Sequence, residues 1–165
     1  MLNVDPQPLS AGARQTLLRV ARDSIEHGLQ QGQALAVHAC DFTPELQAIR
    51  ASFVTLNRKG LLRGCIGHLE AAIPLVEDVA ENAFAAAFRD PRFPPLSLSE
   101  RADLEIHISV LTPPEPLAFC SEADLLLKIR PGIDGLILQD GQAKGTFLPS
   151  VWDSLPKSED FLRHL

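Results

Sequence analysis

The chain has 165 residues, 45% of them hydrophobic and 22% charged, which is ordinary for a globular protein and enough to bury a good core in one domain, 1–165, with at most a small extra lobe. Fifteen Lys and Arg stand against twenty-one Asp and Glu, a formal net charge of −6. That balance, without any dense basic run, argues against a binder of phosphate backbones.

No apolar run approaches the ~20 residues needed to span a bilayer. The opening "MLNVDPQPLS" has no basic segment followed by an apolar one, so no secretory signal is expected. Cys40, Cys65 and Cys120 are odd in number and irregularly spaced. They form neither a disulfide framework nor a CxxC zinc pattern, and a reducing cytoplasm is the simplest setting.

Residues 2–9, with two prolines, read as an irregular lead-in. From Ser10, Leu18, Ala21, Ile25 and Leu29 recur at helical steps between charged residues, predicting an amphipathic helix that closes near Gly32. Residues 33–48 read equally as a short strand or a loop. "AIRASFVTLNRKGLLRGCIGHLE" predicts two strands joined at Asn57–Gly60. A helix follows with Pro74 in its first turn, Glu77 and Asp78 at its positive end, and a wide apolar stripe. "DPRFPPL" ends it.

In "DLEIHISVL", Leu104, Ile106, Ile108 and Val110 face one way and Glu105, His107 and Ser109 the other, predicting a half-buried antiparallel strand. Ser121 is placed to cap a short helix through Ile129, with Asp124 at the capping-box position. A second hairpin is expected around Asp140–Gly141, and a last helix capped by Ser158. Strands in hairpins, not alternating with helices, predict an α+β fold with a mainly antiparallel sheet.

Alternation places Arg63, Cys65 and Gly67 on one strand face, and Gly64 on the other with Leu62, Ile66 and His68. Interior glycines mark a bulge or a close approach by backbone or ligand. A cation beside a thiol favours the reactive thiolate. Cys65 is therefore a candidate catalytic residue, and Arg63, Gly64 and Gly67 are candidate binding residues; the competing reading is a small buried cysteine and an arginine paired with an acid. Asp90 and Arg92 flank a proline in a stiff turn. They either present themselves to a ligand or pin the helix end while Phe93 plugs the core. His38, Cys40 and His68 could assemble a site in space, but no HExxH, P-loop, GxGxxG or GxSxG spacing occurs. Trp152 reads as an anchor of a core or lobe. No metal site and no cofactor is specified.

Taken in order, "LLRGCIGHLE", "AFAAAFRDPRFPPLS", "LEIHISVL", "GIDGLIL" and "GTFLPSVWDSLPKSEDFLRHL" resemble the AMMECR domain family, from about the first helix to the end. "LRGCIG" is the most specific motif, with "RDPRFPPL" close behind. The resemblance implies an α+β domain with a mainly antiparallel sheet flanked by helices, a smaller second lobe, and a cleft between them near the signature. It implies no defined activity. The microbial members are named for company with a Memo-like protein and a radical SAM enzyme (the AmmeMemoRadiSam group), so those are the expected partners. His68 departs from the small or hydroxylated residue usual after the signature. Family members also usually continue past "FLRHL" with a further segment.

Three readings follow. The first is an enzyme or enzyme subunit acting through Cys65, with Arg63 binding an anionic group. The second is a non-catalytic binding or adaptor module for a protein or small ligand. Nucleic-acid binding is third and disfavoured by charge.

Overall fold

The structure is a computed structural model that describes residues 2–3 and 9–165. It contains helices and two three-stranded antiparallel sheets. The chain divides into two compact units, one of residues 7–111 and one combining 1–6 with 112–165.

In the larger unit, helix α1 spans Ala11–Gln31. Ser10 caps it by accepting the Ala13 N–H at 3.1 Å, and Gly32 ends it in the left-handed conformation at φ 73°. Its buried face is Leu17, Val20, Ala21, Ser24, Ile25 and Gly28, while Leu18 lies 41% exposed. The apolar stripe read from the sequence is thus rotated. Hydrophobicity alone hides Ser24 and Gly28 from the buried face. The Ser24 hydroxyl donates to Ala80 O at 2.7 Å, and a Cβ at Gly28 would stand 2.4 Å from the Phe88 ring.

Residues 33–48 hold no strand; a 3-10 turn at Ala39–Asp41 leads to the one-turn helix α2, Pro44–Gln47. Strands β2 (Ser52–Arg58) and β3 (Leu61–Gly67) then form the expected hairpin, turning through Lys59 and Gly60, both at positive φ. Lys59, at φ 52°, is the only non-glycine among the described residues in that region. Lys59→Asn is expected to raise stability by roughly 0.5–1 kcal/mol, measured by urea denaturation, because Asn tolerates this conformation better.

Helix α3 runs Leu75–Phe88 with Pro74 at its N-cap. β4 spans Leu104–Val110 and pairs with β2, giving the order β3-β2-β4. Helices α1 and α3 cover one face of this sheet. Val54, Leu56 and Val110 are buried there, with Leu104, Ile106 and Ile108 packed at its margin. The alternation predicted for β4 is therefore observed. Leu96, at 4% exposure, enters this core from the proline-rich turn; Phe93 is only half-buried, so the plug is Leu96.

In the smaller unit, α4 (Glu122–Lys128) is capped by Ser121, which accepts the Asp124 N–H at 3.2 Å. Asp124 instead accepts the Cys120 N–H, so the capping box is not reciprocal. Strands β5 (Asp134–Asp140) and β6 (Ala143–Phe147) make the second hairpin. β1, Leu2–Asn3, joins β5 on its other side, so part of the expected lead-in is a strand; residues 4–8 lie outside the described residues. The last helix, α5, is Ser158–His164, with Lys157 and not Ser158 at its N-cap. Trp152 is 4% exposed, stacks on Phe161 at 3.7 Å and donates its indole N–H to Asp134 O at 2.7 Å. It is the anchor of this unit's core. No helix among the described residues is long and apolar enough to cross a membrane.

Candidate functional site

β3 is an edge strand, and an edge presents unpaired N–H and C=O groups. At Cys65 those groups are taken by side chains. The Cys65 N–H donates to Asp90 Oδ2 at 2.9 Å, and the Cys65 carbonyl accepts from Arg92 Nη2 at 3.2 Å. Asp90 and Arg92 are bound to each other by three further contacts, Arg92 Nε to Oδ1 at 2.9 Å, Nη2 to Oδ2 at 2.7 Å and the Arg92 main-chain N–H to Oδ1 at 3.1 Å. The pair stands in for a neighbouring strand, one acceptor and one donor at the right spacing. The proline between them keeps the turn short enough for both side chains to reach the same residue.

Arg63 fastens the same loop from a second point. Leu56 pairs with Gly64 but Asn57 with Leu62, so Arg63 is the extra residue of a β-bulge. It is 9% exposed. Its Nε and Nη2 donate to the two Glu100 oxygens at 2.7 and 3.1 Å, and Nη2 donates also to Pro94 O at 2.9 Å. The Phe93 ring lies within cation–π range of both guanidiniums, 5.8 Å from Arg63 and 5.6 Å from Arg92. "LRGC" and "RDPRFPP" are thus two halves of one latch.

The glycines serve backbone. A Cβ at Gly64 would stand 2.1 Å from the Ala86 carbonyl of α3, and one at Gly67 would stand 2.3 Å from Ser52 O and from the Phe53 ring. The space they clear is filled by the neighbouring helix and strand.

The carboxylates are electrostatically committed. Hydrogen bonding from Arg92 holds the Asp90 carboxyl well below the usual range, against the opposing effect of burial and helped by the Cys65 and Arg92 N–H groups. Arg63 lowers Glu100 to about 2, with help from the Ser97 N–H. A depressed carboxylate stabilises above its unfolded pKa and loses that contribution as pH falls through the folded value. For Glu100 the loss therefore runs from about pH 4.5 down to about 2, and for Asp90 from about pH 4 to lower values still. Acid titration of the unfolding midpoint should show this slope, and Glu100→Gln should flatten its upper part.

What remains is the thiol. Cys65 is half-buried, and its Sγ lies 3.2 Å from Thr55 Oγ1. Because the Cys65 main chain turns outward to Asp90 and Arg92, it forms a non-hydrogen-bonded pair with Thr55, the arrangement that brings side chains closest. Across β2, Thr55 stands opposite His107 of β4. Cys65, Thr55 and His107 therefore form one row across the sheet, on the face away from α1 and α3. The alternation of β4 put His107 on its polar side, but only the register of three strands reveals the row. Thr55 carries no motif that would mark it in the sequence.

His68 turns to the helix side, where its Nδ1 meets Asp78. Cys40 is exposed in the 3-10 turn that follows His38. No group of three His, Cys, Asp or Glu that could hold a metal occurs among the described residues. In the smaller unit an open apolar groove of about 480 Å³ is lined by Leu117, Phe119, Leu136, Leu138, Leu162 and Leu165.

The AMMECR1 family model matches residues 18–165. The chain belongs to the AMMECR1 family. A protein of Methanothermobacter thermautotrophicus is 44% identical over 160 residues, covering 94% of this chain and 81% of its own length. Protein PH0010 of Pyrococcus horikoshii is 41% identical over 156 residues, 88% of this chain and 73% of its own. The crystal structure of that uncharacterized protein superposes with a TM-score of 0.82 at 40% identity, covering 89% of this chain and 74% of the other. The α+β fold is thus the fold of an AMMECR1 relative. Family membership fixes the architecture and leaves the chemistry to the site.

Proposed function

We propose that this AMMECR1 protein is an enzyme or enzyme subunit that works through the Cys65 thiol. One observation carries the reading: both main-chain groups of Cys65 are held by Asp90 and Arg92 at the outer edge of a strand that β2 pairs on its inner edge, while the half-buried Cys65 sets its sulfur beside a hydroxyl. A strand fixed this rigidly at one side chain is pre-organised, which lowers the entropic cost of using that side chain. When the sulfur ionises, the Thr55 hydroxyl turns to donate to it, and His107 is the titratable group next along the row. Arg63, with its fork on Glu100 and Pro94, acts as a positioning residue and not as the anion binder expected from the sequence. The expected partners are a Memo-like protein and a radical SAM enzyme, on the strength of the family resemblance.

Cys65→Ser and Thr55→Val should both remain folded and both lose at least about tenfold of any activity reconstituted with those partners. Full activity in Cys65→Ser would remove the thiol from the mechanism. The apolar groove of the smaller unit favours a second reading, a module that binds a small apolar ligand; its size falls in the range of small-molecule pockets. Leu138→Glu, which places a charge in the groove, should then abolish binding while Cys65→Ser leaves it intact.

A further inference from the structure

His68 follows β3 immediately and lies on the opposite side of the sheet from the thiol. Its Nδ1 is 2.6 Å from Asp78 Oδ1. Asp78 sits in the first turn of α3 and is 2% exposed. Its other oxygen, Oδ2, accepts from the Ser52 N–H at 2.8 Å, the Ser52 hydroxyl at 2.5 Å and Asn82 Nδ2 at 2.9 Å. Three donors converge on Oδ2, and Oδ1 is left to the imidazole. The His68 main chain is fixed as well, its N–H donating to Ser52 O at 3.0 Å.

The ring is held at one nitrogen by a buried carboxylate, yet the side chain is 51% exposed. Core packing does not account for such a residue, because half of it faces water. Nor does Asp78 need it to satisfy Ser52 and Asn82, which use the other oxygen. A carboxylate accepting at Nδ1 fixes the proton there and leaves the lone pair on Nε2, at the far end of a half-exposed ring. Ser52 and Asn82 fix the carboxylate in turn, so the ring's orientation is set through two layers of hydrogen bonds.

We propose that His68 and Asp78 form an acid–base dyad, a reactive centre separate from Cys65, in which Nε2 takes a proton from a water or from a hydroxyl-bearing substrate. The O–H bond breaks, the Nε2–H bond forms, and the imidazolium charge is held by Asp78. His68 is the group that meets the substrate; Asp78 is its positioning residue. Glu70 and Glu77 are the acids closest in sequence to the pair, and Glu77 is engaged with the Ala39 N–H at 3.0 Å.

The test uses the full chain and no substrate. His164 is an internal control, because its Nδ1 is hydrogen-bonded to a neutral group, Asp160 O, at 2.8 Å. Diethyl pyrocarbonate reports the nucleophilicity of Nε2: an N–C bond forms, ethyl carbonate leaves, and the Nδ1 proton passes to the acceptor. Peptide mass spectrometry should find His68 acylated about tenfold faster than His164, since a hydrogen bond to a charged acceptor is stronger than one to a carbonyl. Nitrogen-15 NMR of the histidines should show the Nδ1–H tautomer at His68. Both readings are made on the unaltered protein, so neither depends on a variant folding. Asp78→Asn, where folded, should bring the His68 rate down to that of His164. An Nε2–H tautomer, or a wild-type His68 rate no greater than that of His164, overturns the dyad.

Discussion

Glu100→Ala is expected to cost about 3–5 kcal/mol of unfolding free energy, the cost of stranding one member of a buried ion pair. Arg63 is 9% exposed, and its Nη1 is buried without a hydrogen-bond partner even in the intact protein. Without Glu100 its one remaining side-chain hydrogen bond is to Pro94 O, and a desolvated cation remains beneath the loop. Glu100 also accepts the Ser97 N–H at 2.9 Å at the start of the 3-10 turn Leu98–Asp103, so a cap is lost too. The sign of the effect is checked by the double variant Arg63→Met/Glu100→Leu. Removing both charges should recover much of the loss, because each charge is costly chiefly without the other. Urea denaturation of the wild type, Arg63→Met, Glu100→Leu and the double variant closes a double-mutant cycle that measures the coupling. Additive effects would show that the two side chains do not act as a unit.

Gly64→Ala is expected to cost about 3 kcal/mol or more. Its Cβ would fall 2.1 Å from the Ala86 carbonyl, which belongs to the main chain of α3 and cannot rotate aside. Either β3 moves off the helix or α3 shifts, and both carry buried contacts with them. Gly12→Ala is the control. Nothing lies within 4 Å of its Cβ, and a helical Gly→Ala change should stabilise by up to about 1 kcal/mol. Thermal or urea unfolding of the two variants should move in opposite directions. A neutral Gly64→Ala would mean that the close approach of strand and helix is not required.

These two expectations mark what the sequence could and could not reveal. The elements were legible because their signals are local: Ser10 and Gly32 bracket α1, Lys59–Gly60 turns the hairpin, and "DLEIHISVL" alternates with period two. The rotated face of α1 was not legible, since Ser24 and Gly28 are buried for reasons that lie in α3. Division into two three-stranded sheets was also hidden, because β1 is only two residues long and its partner is more than 130 positions away. At the site, alternation put Arg63 and Cys65 together and the motif drew attention to Asp90 and Arg92. Their relation was out of reach. Side chains of one turn pairing with the backbone of a distant strand leave no periodic trace. The same is true of the bulge at Arg63 and of the register that sets Thr55 between Cys65 and His107.

The latch also explains why one strand carries glycine, arginine and cysteine together. Gly64 admits α3, Arg63 ties the proline-rich loop, and the loop's Asp90 and Arg92 fix the Cys65 main chain. Only the thiol is left without a structural task of that kind, and the functional reading rests on it.

That reading is tested most directly by the alkylation rate of Cys65 in the folded protein as a function of urea below the unfolding transition, followed residue by residue against the exposed Cys40 and Cys120. A thiol that is presented for use reacts from the native state, so the Cys65 rate should be measurable without urea and nearly constant until the transition begins. A Cys65 rate that is negligible in the native protein and rises in step with global unfolding would make it a structural cysteine and contradict the account.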